Sequence, residues 1–232
     1  MSGLAGRVED LVWSVRAGPR ERRTIIDIPA LALEPGQLTA LSGPSGSGKS
    51  TLLYLLAGLL VPDRGRIVWG EDDLARMSES QRDRWRRGNA GFVFQDFHLI
   101  EELSPLDNVL APAWFAGFSA RPLRDRAAAL LDRFGVPRER RSTALLSRGE
   151  QQRVAIARAL LSGPKIVFAD EPTASLDAAS GEEVADALSA LAAEEGRTVV
   201  VASHDPAILG RAGRVLGIER GRLLAPERAE AA

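Results

Sequence analysis

Nine consecutive residues, 43–51, combine the side chains that a protein uses to hold a chain of phosphate groups. They read G-P-S-G-S-G-K-S-T and contain the pattern G-x-x-x-x-G-K-[ST]. Glycines in such a loop let backbone N–H groups approach a polyanion, because no Cβ atom stands in the way. Lys49 then meets the terminal phosphates, and Ser50 offers a hydroxyl to Mg²⁺. The candidate nucleotide-binding residues are Gly43, Pro44, Ser45, Gly46, Ser47, Gly48, Lys49, Ser50 and Thr51.

The flanks of this loop argue against the alternative interpretation, a plain Gly/Ser turn. Residues 38–42 suit a short buried strand, and the leucines from Leu52 to Leu60 predict an apolar helix. The loop then ends at a helix N-terminus, where the helix dipole favours anions. The chain has only two lysines, and one of them is Lys49. A phosphate-binding loop is therefore the favoured interpretation.

Two adjacent carboxylates, Asp170 and Glu171, follow the apolar run 166–169. Neighbours in a strand point to opposite faces, so the two acids cannot do the same work. Asp170 suits Mg²⁺, because this cation prefers oxygen ligands. Glu171 suits the polarisation of a water molecule for attack on a phosphate. Such a pair alone is more often a solvated turn, but the phosphate loop favours a catalytic pair.

Ser147 and Glu150 fit the pattern S-x-x-E of a capping box in front of a predicted helix over residues 151–161. A cap explains both residues without any function. A capped helix start is, however, also an anion site. Both interpretations stay open at this point.

Composition limits the possible partners. The 232 residues carry a formal charge of −1, which leaves no general electrostatic footprint for nucleic acid. The segment R-D-R-W-R-R within a predicted helix over residues 74–87 suggests nucleic-acid binding. A solvated helix face anchored by Trp85 is the favoured interpretation. We expect no nucleic-acid partner.

The same sequence shows no cysteine and no secretory leader in residues 1–10. Its longest apolar stretch, residues 52–61, is about half of the ~20 residues that a membrane span needs. We expect a chain that is soluble by itself and cytoplasmic.

The remaining pattern predicts an α/β fold. Residues 11–15 and 24–33 predict strands of a small antiparallel layer, joined by an arginine-rich turn over residues 16–23. Further strands are predicted at residues 65–69, 90–94, 166–169 and 199–202, and a helix at residues 179–195. The apolar runs at 166–169 and 199–202 are typical of parallel strands covered on both faces.

Alanine-, leucine- and arginine-rich helical sequence fills residues 96–161. We therefore predict one domain over residues 1–232. Its nucleotide-binding core comprises residues 1–95 and 162–232, and residues 96–161 form an inserted α-helical subdomain.

These motifs together resemble those of the ATP-binding-cassette (ABC) ATPases. Residues 43–51 and 166–171 match the two Walker motifs, and residues 146–150, L-S-R-G-E, match the signature loop. Three single residues stand in the family's order: Gln95, Asp177 and His204. Each alone is usually structural, but their order and separations make coincidence remote. The resemblance covers nearly the whole chain.

The resemblance implies a P-loop NTPase fold with an ABC-type core and an ATPase that uses ATP and Mg²⁺. It also implies a head-to-tail dimer with a second copy of the chain or a related ABC subunit. The signature loop of one subunit would close on the nucleotide held by the other. That trans-acting loop would comprise Ser147, Arg148, Gly149 and Glu150.

The resemblance implies further residue roles. Ser50, Gln95 and Asp170 would form the Mg²⁺ shell, and Gln95 would also sense a bound permease. Glu171 and His204 would join Gln95 as catalytic residues, with His204 at the γ-phosphate. Asp177 would communicate across the dimer.

Two departures from the family pattern affect the transfer of these roles. Arg148 stands where the family usually has glycine, and Glu150 where it often has glutamine. Glu150 would place an anion near the triphosphate, which its own helix cap or Arg148 could offset. The adenine-stacking residue is also open: Trp13 is the nearest candidate in the first strand, and it equally suits the core.

Residues 91–100 and 106–109 resemble the lipoprotein-releasing and macrolide-exporting branch of the family. This resemblance implies an integral-membrane permease as partner and a position on the inner face of the cell membrane. One alternative is a regulatory mechanotransmission ATPase that transports nothing. The other is a soluble nucleic-acid ATPase, which usually has a coiled-coil insertion, a zinc module or a second cassette.

Overall fold

The computed structural model describes residues 3–18, 21–115 and 121–224. In chain order the strands are β1 (Gly6–Arg16), β2 (Arg22–Leu33), β3 (Leu38–Ser42), β4 (Arg64–Trp69), β5 (Asp72–Asp73), β6 (Ala90–Val93), β7 (Ile166–Asp170), β8 (Thr198–Ala202), β9 (Arg214–Glu219) and β10 (Arg222–Leu223). The α-helices are α1 (Lys49–Leu56), α2 (Glu79–Asn89), α3 (Pro105–Phe115), α4 (Arg124–Arg133), α5 (Arg148–Leu160), α6 (Ala178–Ala193) and α7 (Pro206–Leu209).

Two sheets form the framework. A six-stranded sheet has the order β10-β9-β3-β8-β7-β6; its pairs from β9 to β6 are parallel, and β10 is antiparallel to β9. A four-stranded antiparallel sheet has the order β2-β1-β4-β5. The α/β fold with an antiparallel layer is therefore as predicted.

The strand β7 shows how the core divides into two layers. Val167 and Ala169 pack on one side with α3, α4, α5 and α6, while Ile166 and Phe168 pack on the other with α1 and the antiparallel sheet. Alternate residues of a strand point to opposite faces, so a strand apolar at every position is buried on both. Because β7 is buried on both faces, its C-terminal end, where Asp170 and Glu171 lie, has a fixed position in the fold.

Helices account for the described elements between β6 and β7: α3, α4, α5 and two 3₁₀ turns at Arg121–Leu123 and Thr143–Leu145. Gly91 of β6 lies against α5, since a Cβ atom there would come 2.4 Å from the Ala159 carbonyl oxygen. The C-terminal part of α5 therefore packs directly on the sheet. Among the described residues, no helix has both the length and the apolarity that a bilayer crossing requires.

Two helix predictions need correction. The helix predicted to continue to Leu60 ends at Leu56, because Gly58 adopts a left-handed φ of 65° and turns the chain. The helix predicted over residues 74–87 is a 3₁₀ turn at Leu74–Arg76 followed by α2, which a capping box at Ser78 starts afresh. Trp85 is buried in α2, as predicted.

The antiparallel layer is longer than predicted. The strands β1 and β2 extend through Arg16 and from Arg22, so they take in part of the predicted turn over residues 16–23. Residues 19 and 20 of that turn lie outside the described residues. The extension follows from the pairing of β1 with β2, because Val15 lies opposite Arg23 and Arg16 opposite Arg22.

Candidate functional site

The loop 43–48 connects β3 to α1, as its sequence predicts. Gly43 has a φ of 153°, and a Cβ atom there would lie 2.2 Å from the Ile218 carbonyl oxygen. Gly48 caps α1 with a φ of 107°, which L-residues with side chains rarely adopt. Glycine is therefore required at both ends of this loop for steric reasons.

Lys49 is the first residue of α1, and its ammonium group turns back over the loop. Its Nζ donates to the carbonyl oxygens of Gly43 (2.8 Å) and Pro44 (3.3 Å) and lies 3.7 Å from Glu171 Oε1. The residue is only 7% exposed. A buried cation held by carbonyl dipoles and one carboxylate is positioned to meet anionic oxygens in the loop.

Ser50 and Asp170 come together across 120 residues of sequence: Ser50 Oγ donates to Asp170 Oδ1 at 2.8 Å. Tyr54 Oη donates to the other oxygen, Oδ2, at 2.7 Å. Burial, followed by the hydrogen bond to the Asp170 carboxylate and its charge, raises the pKa of Tyr54 to about 12. Sequence reasoning missed Tyr54, although its spacing of four residues from Ser50 puts both on one face of α1.

Glu171 has a strained backbone, with a φ of 43° that is uncommon outside glycine. Its N–H donates to the Ala202 carbonyl at the end of β8 (2.8 Å), which holds the residue against the next strand. Its carboxylate lies 3.2 Å from His204 Nδ1. Strain of this kind persists only where the surrounding structure enforces it, and it is common at active sites.

Lys49, Ser50, Glu171 and His204 line a pocket of about 530 Å³, whereas Asp170 and Tyr54 lie behind Ser50 and are not among its lining residues. Its lining residues are Ile25, Gly43, Pro44, Ser45, Gly46, Gly48, Lys49, Ser50, Thr51, Gln95, Glu171, Ala174 and His204. Gln95, Glu171 and His204 therefore meet as the sequence suggested, and Ile25 and Ala174 are additions. Trp13 is half-buried in β1, packs against the core, and is not among the lining residues. Its stacking on adenine stays a prediction.

The pocket has the donors that ATP and Mg²⁺ need. Lys49 and Ser50 both line it and offer an ammonium group and a hydroxyl to ligand oxygens. Ser50 and Asp170 present a hydroxyl and a carboxylate side by side, which is the oxygen chemistry that Mg²⁺ prefers. The residues present therefore fit the magnesium–nucleotide pair.

The loop 146–150 starts α5 with the predicted capping box. Ser147 Oγ accepts from Glu150 N (3.2 Å), while Glu150 Oε2 accepts from Ser147 N (2.7 Å) and Ser147 Oγ (2.9 Å). Gly149 packs against α6, where a Cβ atom would lie 2.6 Å from Ser180 Oγ. None of these residues is among those that line the pocket.

Arg148 does not pair with Glu150. Its guanidinium lies 5.3 Å from the centroid of the Phe97 ring, and its Nε donates to the Ser175 carbonyl at 3.1 Å. The charge of Glu150 is instead satisfied within its own capping box. Of the two explanations for how this carboxylate is tolerated, the local geometry supports the cap.

Asp177 caps α6. Its carboxylate accepts from Ser180 N (3.0 Å) and Ser180 Oγ (2.9 Å), and these hydrogen bonds lower the pKa of Asp177. The pattern D-x-x-S before a helix could have revealed the cap. A local structural role thus accompanies the proposed role in dimer communication.

Comparison with known proteins gives the family of the chain. A family model described as ABC transporter matches residues 27–174. The chain belongs to this ABC transporter family. The ATP-binding and ATP-hydrolysing activity with Mg²⁺ that the sequence predicted is therefore confirmed, together with the fold class.

Two curated relatives of this ABC chain have informative names. The macrolide export ATP-binding/permease protein MacB of Chromobacterium violaceum is 44% identical over 225 residues, which are 97% of this chain but 35% of the relative. The lipoprotein-releasing system ATP-binding protein LolD of Granulibacter bethesdensis is 41% identical, over 94% of this chain and 95% of the relative. The chain thus spans about a third of MacB and nearly all of LolD.

Among solved structures, the dimeric post-hydrolysis state of the ATP-binding cassette MJ0796 bound to ADP and Pi matches with a TM-score of 0.86 at 32% identity. The match covers 98% of this chain and all of that one. The dimeric structure of MJ0796 as a bacterial ABC transporter cassette matches with a TM-score of 0.85.

Proposed function

We propose that this ABC subunit powers a separate membrane permease by closing, on ATP, as a head-to-tail dimer. The observation that carries this proposal is the separation of two anion-binding helix starts on one chain. The pocket at α1 contains the phosphate loop, whereas the capped start of α5 at Ser147 lies outside that pocket. A second copy, turned head to tail, supplies the missing helix start to each pocket, and the dimeric MJ0796 structures support such an arrangement.

The contacts support roles for several residues. Lys49 and the loop amides would bind the phosphates, and Ser50, Asp170 and Gln95 would hold Mg²⁺, which would neutralise developing charge on the phosphate oxygens. Glu171 acts as the base for the attacking water, since its N–H bonds the Ala202 carbonyl and its carboxylate lies 3.7 Å from Lys49 Nζ. His204 orients that carboxylate through the 3.2 Å contact, and its contact with the γ-phosphate rests on the family resemblance.

The closed site is completed by Ser147 and Gly149, with Arg148 and Glu150, from the opposite subunit. Asp177, close to the start of α5 through Ser180 and Gly149, links the two sites of the dimer. Glu150 accepts hydrogen bonds from Ser147 N and Oγ, so its charge is engaged within its own helix cap.

A permease partner is supported by the surface of the helical region. Large apolar side chains are exposed there: Ile100, Trp114, Phe115 and Leu145. The segments that carry Ile100 and Leu145 are joined, because Thr143 Oγ1 donates to the Ile100 carbonyl at 3.2 Å. Exposed apolar groups in this region suit a protein partner.

The names of two relatives support a branch of the ABC family and a location for the chain. Names of MacB and LolD support the macrolide-export and lipoprotein-releasing branch, with the chain peripheral on the inner face of the cell membrane through its permease. A mechanotransmission ATPase that transports nothing shares every feature of the site and is the second candidate. A nucleic-acid ATPase is less supported, because Arg86 of α2 is engaged by Asp83 and the Gly58 carbonyl.

The variant Glu171→Gln tests the proposed function. It keeps size and hydrogen bonding but removes the basic carboxylate, so we expect ATP binding to persist, turnover to be lost, and an ATP-dependent dimer to accumulate. ATP hydrolysis and size-exclusion chromatography with light scattering measure these effects. The matched control is Glu194→Gln at the exposed end of α6, which should behave as wild type. Hydrolysis by Glu171→Gln near the wild-type rate would assign the base to another group.

A further inference from the structure

The turn that follows Gln95 has an uncommon backbone. Phe97 and His98 both adopt left-handed conformations, with φ of 55° and 48°, and Phe97 is only 6% exposed. Residues other than glycine hold such angles only where their surroundings impose them. The turn lies two residues beyond Gln95, which lines the pocket.

The helix α5 holds this turn with two arginines. Near its end, Arg158 donates from its guanidinium to the carbonyl oxygens of Phe97 and His98. At its first position, Arg148 lies over the Phe97 ring at 5.3 Å from the centroid. Arg158 therefore contacts the backbone of the turn, and Arg148 contacts the side chain of Phe97.

Arg148 also reaches a second segment of the site. Its Nε donates to the Ser175 carbonyl at 3.1 Å, and Ser175 lies between Glu171 and Asp177. The same guanidinium thus contacts the turn after Gln95 and the segment after Glu171. Glycine at this position has no side chain for either contact, and lysine lacks the planar fork with its Nε donor.

We propose that Arg148 is a positioning residue that ties the turn at Phe97 to the segment at Ser175 and to the start of α5. Gln95, Glu171 and the loop 146–150 then keep a fixed relation to one another. This effect on Gln95 and Glu171 of its own chain is separate from the place of Arg148 in the loop that closes on the partner's nucleotide. The expected effect on turnover rests on the proposed function. The tether, meaning the contacts of Arg148 with the Phe97 ring and the Ser175 carbonyl, lies within a single chain.

Hydrogen–deuterium exchange without nucleotide measures the tether directly. In Arg148→Lys we expect exchange in segments 95–98 and 173–177 to rise about two- to tenfold, which is less than the complete loss of one cation–π contact and one hydrogen bond would give, because lysine keeps the positive charge. The matched control is Arg133→Lys. Arg133 lies 5.2 Å from the Phe134 ring and pairs with Glu195, so it has a similar ring contact elsewhere in the helical region.

A second variant removes the aromatic ring that Arg148 contacts. Phe97→Leu keeps an apolar side chain but removes the aromatic face, so it should reproduce the rise in segment 173–177. Steady-state kinetics complete the test: kcat should fall about three- to tenfold in Arg148→Lys with KM for ATP within about twofold, because Lys49 and Asp170 are untouched.

The outcomes separate the tether from general destabilisation. A rise confined to the two segments in Arg148→Lys and Phe97→Leu, and absent in Arg133→Lys, supports the proposal when kcat falls as well. Unchanged exchange in either segment, a rise spread evenly along the chain, or a local rise with unchanged kcat overturns it. Absence of ATPase activity in the wild type would instead count against the proposed function, and the exchange comparison would still decide the tether.

Discussion

At the scale of single residues, sequence and structure agree where chemistry requires a residue type. The requirement for glycine at 43 and 48, the cation at 49 and the pairing of Ser50 with Asp170 all follow from what a phosphate loop and Mg²⁺ need. Tyr54 differs, because its hydrogen bond joins residues 116 positions apart. Spacing places it beside Ser50, but only the packing of α1 on β7 brings it to Asp170.

Tyr54 gives a prediction that one spectrum can check, because the chain contains a single tyrosine. Titration of tyrosinate absorbance should give a pKa of about 12, above the usual tyrosine value of 10.0. Since the pKa is higher in the folded state, the stability from the neutral phenol is full below pH 10.0 and is lost as the pH rises through about 12.

Two variants assign the cause of this shift. In Asp170→Asn the pKa of Tyr54 should fall but stay above 10.0, because burial is its largest cause and the carboxylate adds to it. Ser50→Ala, which removes the other partner of Asp170, should leave the pKa of Tyr54 near that of the wild type. A pKa of 10.0 in the folded wild type would contradict the packing of Tyr54 against Asp170.

At the scale of elements, capping signals were informative and apolar runs alone were not. The S-x-x-E box at Ser147 predicted the start of α5, and the equivalent S-x-x-Q box at Ser78 starts α2. The latter signal is in the sequence, but one helix was predicted over the whole of residues 74–87. The length of α1 depends on Gly58, whose left-handed turn outweighs the leucines that follow.

The two capping boxes form a matched pair for mutation. Ser147 Oγ accepts from Glu150 N at 3.2 Å, and Ser78 Oγ accepts from Gln81 N at 3.4 Å. Ser147→Ala and Ser78→Ala should each lower the free energy of unfolding by about 1 kcal/mol, measured in urea. If Ser147 also binds nucleotide in trans, only Ser147→Ala should lose ATPase activity at a temperature where both variants are folded. Equal activities would leave Ser147 as a helix cap alone.

At the scale of the whole molecule, strand order assembles the pocket. The strands β3, β8, β7 and β6 are neighbours and parallel, so the residues that follow them meet at one edge: the phosphate loop, His204, Glu171 and Gln95. Ligands bind at the carboxyl ends of strands in such sheets. Sequence predicted this convergence through the order of its motifs. The contacts of Arg148 were not predictable, since they depend on how α5 meets the turn at Phe97.

The head-to-tail arrangement yields a prediction about two variants mixed together. Lys49→Ala removes the cation of the phosphate loop and should abolish tight ATP binding, whereas Ser147→Arg should leave ATP binding intact and block closure by bulk and added charge. Each variant alone should be inactive. In a head-to-tail heterodimer both lesions fall in one composite site and the other site is intact, so ATPase activity should recover in the mixture. Calorimetry with Mg-ATP and hydrolysis assays on each variant and on the mixture provide the measurement.

Wild-type nucleotide affinity in Lys49→Ala would contradict the assignment of the loop. No recovery, with heterodimer formation demonstrated, would argue against two independently competent sites and would favour either obligatory coupling of two intact sites or a local role for Ser147.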